Sequence, residues 1–302
     1  MVKIPPTANN AEPSDTLPIT ENQISSNASS TKASRSTWQS TLKYLRTEIT
    51  LDHADIPIIA CSLVAGLCDS SSYNAWSCFV SMQTGWCAPR MWNRYLTHSK
   101  IGNTIFLALG ASGQPLTKPY GWVKSLLSIF FFICGCLFFA QTRLFNPKSR
   151  GTLATSFFLQ SACIMSAAAL VQAGVVPAPK GLVVESGADI DFLELVPLAF
   201  LAFQSGGQIV TSRILGFNEV PTTVLTSVYC DLAMDPRVLA ADNVKRNRRF
   251  GAVLGILIGG IAGGWISRSR ATLYTNFWIA AAIKLIIAIS WCVWKPKTPI
   301  QL

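Results

Sequence analysis

Six apolar runs, each about as long as the twenty residues that a helix needs to cross a bilayer, decide most of what this chain can fold into. They lie at 56–80, 122–140, 153–174, 192–212, 250–267 and 273–294, and two shorter apolar pieces, Asn103 to Ala111 and Thr222 to Ala233, are too short to span. Only 13% of the 302 residues are charged and the mean hydropathy is +0.37, against about 25% charged residues in an ordinary soluble chain. The expected fold is therefore all-α and polytopic: six transmembrane helices, the two short pieces as re-entrant helices, and the lipid bilayer as the surrounding medium.

Basic residues set the topology, because they gather on the cytoplasmic side of spans. Lys43 and Arg46 precede the first run, Arg143, Lys148 and Arg150 follow the second, Lys245, Arg246, Arg248 and Arg249 precede the fifth, and Lys295 and Lys297 follow the sixth. Six spans put all four groups on one side, with both termini cytoplasmic, and the acidic loop holding Glu185, Asp189 and Asp191 on the other. Eight spans would move Arg143, Lys148 and Arg150 across. The net charge of +10 is accounted for in this way, so no nucleic-acid partner is expected. Residues 1–50, rich in Ser, Thr, Asn and Pro, read as a disordered tail without a signal sequence; Trp38 to Leu51 fits an interfacial helix or a polar linker.

Metal and covalent chemistry find little support. The cysteines are scattered through or beside the apolar runs without CxxC spacing, and His53 and His98 are the only histidines, so neither a metal site, a resident cofactor nor a His-based triad is expected. No set of nucleophile, base and orienting group is visible, and the chain is not expected to be an enzyme.

Polar groups at membrane depth mark candidate sites, since each must be satisfied internally or face a cavity. In the first half these are Asp69, Gln83, Thr84 and Asn103, with Gly66, Asp69 and the following serines expected to break the first span. In the second half they are Gln204, Gln208, Thr223 and Thr226. A lone carboxylate at depth costs about 2.5–3.5 kcal/mol unless neutralised or paired; Asp69 suits a coupling proton or cation, or equally a helix cap. Lys284, inside the last run, either snorkels or serves as countercharge to Asp69. Thr and Gln residues also serve as packing glue between helices, and Gly255, Gly259 and Gly263 have the G-x-x-x-G spacing of close helix contacts. Asp55-Ile56-Pro57 resembles Leu195-Val196-Pro197, and with 86–102 removed Thr84-Gly85-Asn103-Thr104 aligns with Thr226-Ser227-Val228-Tyr229. Residues 54–174 and 191–294 then read as two inverted three-span halves, the plan of many secondary transporters.

The Gly-x-x-Asp of the first span, F-x-x-x-Q-T-G followed at a distance by N-T-I-F-L-A-L-G, and P-T-T-V-L-T-S before Asp231-Leu232-Ala233 resemble the YoaK-like family of integral membrane proteins, a domain of unknown function common in bacteria and fungi. The resemblance covers residues 54–294 and implies a polytopic membrane protein with no established activity. Here the family's Q-T-G-N run is split by residues 86–102, which carry Arg90, Arg94, His98 and Lys100. This insert is either a loop extension or, the favoured expectation, an intron retained in the gene model.

The expected function is a secondary transporter or permease for a small solute or ion of unknown identity, coupled to a proton at Asp69; a non-transporting membrane scaffold or assembly factor is the alternative. A homo-oligomer is compatible with either.

Overall fold

The computed structural model describes residues 39–83, 102–113, 121–176, 192–268 and 273–297. Thr84, most of the 86–102 insert, Trp38 and the acidic loop lie outside the described residues. The chain divides into two units, Met1–Tyr44 and Leu45–Leu302; in the first, residues 39–44 are helical.

The second unit holds eight α-helices among its described residues. They are α1 (Asp55–Trp76), α2 (Asn103–Ala111), α3 (Gly121–Ala140), α4 (Arg150–Gln172), α5 (Leu195–Leu215), α6 (Thr226–Ala233), α7 (Val244–Arg268) and α8 (Leu273–Val293). Six are long and apolar enough to cross a membrane, and α2 and α6 are the two short ones. Two boundaries differ from expectation. The first span runs unbroken through Gly66 and Asp69 and ends at Trp76, where Ser77 turns left-handed (φ 55°) and donates its N–H to the Tyr73 carbonyl. The fifth begins at Val244 because its basic first turns are ion-paired: Arg248 bonds Asp55 and Glu219 at 2.9 Å each, and Arg249 approaches Asp231 and Asp235.

Contacts at the helix ends sort the spans into two faces. At one, the backbone of residues 47–50 straps α4 to α8: Ile49 N donates to Lys148 O, Thr50 N to Lys295 O, and Arg150 N to Thr47 O. The same face carries the Arg248 cluster and α6, so Lys148, Arg150, Arg248, Arg249 and Lys295 share one side, while Arg268 closes α7 at the other. At the other face Trp76 stacks on Phe277 at 6.0 Å, Trp278 donates to Gln172 at 2.7 Å, and Lys124 pairs with Glu194. Spans therefore alternate in direction, with α2 beside the start of α3 at the second face.

Packing runs through three intimate pairs, α1 with α7, α3 with α5, and α4 with α8. Glycine permits the first two. A Cβ on Gly66 would lie 2.3 Å from Ile256 O and 2.8 Å from Gly260 N, and one on Gly259 would lie 2.2 Å from Leu63 O. In the other pair a Cβ on Gly206 would lie 2.4 Å from Phe132 O and 2.7 Å from Cys136 N, and one on Gly135 would lie 2.1 Å from Phe203 O. Backbones this close gain dispersion contacts that larger residues prevent. The outer faces of α3 and α7 leave Phe130, Ile133, Leu137, Leu257, Ile258 and Ile261 exposed, apolar surface that lipid tolerates better than water.

Candidate functional site

Asp69 does not stand alone in hydrocarbon. It is buried, and its Oδ1 accepts from the backbone N–H of Val80 (2.9 Å) and of Ser81 (2.8 Å), while Oδ2 accepts from the Ser81 hydroxyl. The carboxylate thus clamps the chain that leaves α1 back against its own helix, four residues beyond the Ser77 cap. Lys284 is not its countercharge: among the described residues no ion pair joins them, and Lys284 is held elsewhere.

Next to this clamp lies a second cluster that brings together residues expected from sequence. Asn103, fully buried at the start of α2, donates through Nδ2 to Phe79 O (2.6 Å), Gln83 Oε1 (2.9 Å) and Ser128 Oγ (3.1 Å). Its Oδ1 accepts from Phe79 N, and Gln83 Nε2 donates to Val80 O and to Ser128 Oγ, both at 3.2 Å. The Gln83 carbonyl accepts Thr104 N–H at 3.0 Å. Gln83 and Asn103, twenty positions apart in sequence, are therefore neighbours. Every described donor of the cluster is spent on protein, which is what a structural junction requires.

The second-half residues divide. Thr226 is exposed on α6, where Val228 is the buried side chain, so the described structure does not bring Thr226 to the interior. Thr223 is buried and bonds locally to Pro221 O. Gln204 and Gln208 do lie inside: Gln208 Nε2 donates to Cys61 O at 3.0 Å, Gln204 Nε2 donates to Ser205 Oγ at 3.0 Å, and both Oε1 atoms are buried without a partner.

Gln208 borders a polar centre in which Lys284 takes the leading part. Its ammonium is fully buried, donates to Gln160 Oε1 at 2.7 Å and to Cys61 Sγ at 3.6 Å, and lies 5.1 Å from the centre of the Phe157 ring. Gln160 Nε2 in turn donates to Ser156 Oγ at 3.3 Å, and the adjoining Ser161 Oγ donates to Ala281 O. Ser156 also lines a narrow crevice, too tight in this state to hold a water molecule, between the start of α4 and the end of α5, with Thr142, Pro147, Thr152, Thr211 and Ile214. A hydrogen-bonded path thus runs from the basic face to the middle of the bundle. Gln160, Ser156 and Thr211 escaped the sequence reading because each is one ordinary polar residue in an apolar run; the available signal was Lys284, a single cation far from either end of its span.

Six spans, lipid-facing apolar flanks and a polar interior define a multi-pass α-helical membrane protein. The chain matches the family model described as protein of unknown function (DUF1275) over residues 58–88 and 92–290, and it belongs to that family. The two matched stretches part at residues 89–91, inside the 86–102 insert. No curated protein and no solved structure matches it.

Proposed function

We propose that the chain is a secondary transporter or permease for a small solute, built from two inverted halves, α1–α4 and α5–α8, with both termini on the cytoplasmic side. The observation that carries this is the glycine packing. The α3/α5 contacts become the α1/α7 contacts when α1 positions advance by 140 and α3 positions by 124: Leu63 and Gly66 answer to Phe203 and Gly206, and Phe132, Gly135 and Cys136 answer to Ile256, Gly259 and Gly260. Helices α4 and α8 pair with each other, and the sequence Thr152-Leu153-Ala154-Thr155-Ser156-Phe157-Phe158 in α4 is matched by Thr272-Leu273-Tyr274-Thr275-Asn276-Phe277-Trp278, whose last six residues open α8. The short helices fit the same scheme, since Asn103 and Val228 are the sole buried residues of α2 and α6. Two halves in opposite orientation can exchange conformations, and this opens a central site to either side in turn. The basic residues at one face support the orientation.

Purified protein in liposomes, screened for counterflow of radiolabelled solutes from the main chemical classes, tests the reading. Saturable, trans-stimulated flux of at least one class is expected. Folded, correctly inserted protein that moves none of them, but co-purifies stoichiometrically with another membrane protein, would favour the scaffold alternative.

A further inference from the structure

The Lys284 centre has a chemistry that none of its protein neighbours completes. Among the described residues all ion pairs lie at the two faces, on Lys124, Arg248, Arg249 and Lys297. Among those residues Lys284 has only the Gln160 carbonyl oxygen, the Cys61 sulfur and a ring face. The one buried carboxylate among the described residues, Asp69, has both oxygens committed to residues 80 and 81. A buried ammonium in contact with dipoles alone is poorly compensated, because charge taken out of water is restored mainly by an opposite charge. Beside it the needs are of the other kind: Gln208 reaches the same Cys61 through its backbone carbonyl, and its Oε1 is buried with no donor. Turning that amide around would only set an acceptor against the Cys61 carbonyl.

We infer that Lys284 and Gln208 form a binding site for a small monoanion that carries its own hydroxyl group, such as bicarbonate, glycolate or lactate. The anionic oxygen meets the Lys284 ammonium and the hydroxyl donates to Gln208 Oε1. Entry is from the side of Ser156 and Thr211, where a crevice closed to water in this state must widen, and from which Gln160 leads to Lys284. A ligand of this kind satisfies both vacancies at once, whereas chloride satisfies the first only. The inference names the substrate class of the proposed transporter and rests on that proposal for its use, though binding does not depend on it.

The test is thermal unfolding of the full chain in detergent at constant ionic strength, titrated with glycolate, lactate, bicarbonate and, as the donor-free control, chloride. At least one hydroxylated anion is expected to raise Tm saturably and well beyond chloride, as ligand binding to the folded state must. Lys284→Met should abolish the shift, and Gln208→Leu should weaken apparent affinity at least tenfold. Lys284→Met should itself fold, since an apolar isostere in place of an unpaired buried charge is often neutral or stabilising; if it does not, Gln160→Leu, which removes the ammonium's oxygen partner, is the second probe and should also shift affinity. Equal responses to chloride and to every hydroxylated anion, or an undiminished response in Lys284→Met, overturn the site. Flux of an unrelated solute without such binding would sink the site and leave the transporter standing; binding without any flux would do the reverse.

Discussion

Replacing Gly259 by alanine puts a methyl group 2.2 Å from the Leu63 carbonyl oxygen, where ordinary contact begins at 3.4 Å, so α1 and α7 must part locally by about 1.2 Å. The obstacle is backbone, which no rotamer change relieves. Overpacking of this kind costs about 1–3 kcal/mol, and separation also forfeits the close contacts of Gly66 with Ile256 and Gly260. Against this, alanine is the better helix former by about 1 kcal/mol. With the lost contacts added the clash wins, leaving a net loss of up to about 2 kcal/mol. Gly135→Ala should lose a similar amount, because its Cβ would lie 2.1 Å from Phe203 O. Gly260→Ala and Gly264→Ala, with nothing within 4 Å, should be neutral or slightly stabilising through propensity alone. Thermal unfolding of the four variants in one detergent, monitored by size exclusion, reads this directly. Gly259→Ala or Gly135→Ala melting at or above wild type, or Gly264→Ala melting as low as either, would refute the packing account.

Asp69→Ala strips the acceptor from two buried backbone N–H groups and should cost about 2–4 kcal/mol, whereas Asp69→Asn keeps one oxygen facing them and should retain most of the folded yield; fluorescence-detected size exclusion distinguishes the two. Arg248 ties the start of α1 to the loop after α5, so Arg248→Gln should loosen that face, with Arg248→Lys only partly restoring it because lysine lacks the two-pronged guanidinium; limited proteolysis of the 216–243 segment reports the effect. The Arg237 backbone N–H and the Asn243 amide, with Arg249 nearby, hold the Asp235 carboxyl below the usual carboxylate range. Its contribution to stability is therefore present above the unfolded pKa of about 4 and fades as pH falls through the lower folded value, and Asp235→Asn should flatten the acid limb of hydrogen exchange in residues 235–244. With residues 86–102 deleted, the bond from Thr104 N to Gln83 O becomes an ordinary helical bond spanning four positions, so the deleted protein should express and melt at least as well as the full chain. Transcripts joining Gly85 directly to Asn103 would establish a retained intron; their absence would leave the stretch as a genuine loop.

The spans were legible because each satisfies a length and hydropathy requirement that local sequence alone determines. Their ends were less so: the Ser77 turn depends on the stacking of Tyr73 on Phe79 at 4.7 Å, and the early start of α7 depends on Asp55, Glu219, Asp231 and Asp235, all distant in sequence. Asp69 was recognised as exceptional, but an isolated carboxylate announces only that it needs partners; Val80 and Ser81 supply them with backbone groups that every residue has. The Gln83 and Asn103 contact was foreshadowed by the family's continuous Q-T-G-N run. The pairing of Lys284 with Gln160, 124 residues apart, was out of reach, since periodicity identifies a face of one helix and says nothing of which helix lies opposite. The repeated T-L-x-T-x-F at 152–157 and 272–277 was in plain view and would have aligned the halves more firmly than the short helices did.

The central claim, that two inverted halves open a shared centre to each side in turn, makes Ser156 and Asn276 counterparts at opposite faces. Ser156 lines the crevice, while Asn276 is buried and donates to Gly263 O and Ser267 Oγ, both at 3.1 Å. In a cysteine-free background reconstituted in liposomes, Ser156→Cys and Asn276→Cys are each treated with a membrane-impermeant maleimide from either side. The account predicts that position 156 labels only from the basic face and position 276 only from the other, and that a cross-link closing the first crevice raises the labelling rate of the second. Labelling at 156 with no reaction at 276 under any condition, cross-linked or free, would contradict it.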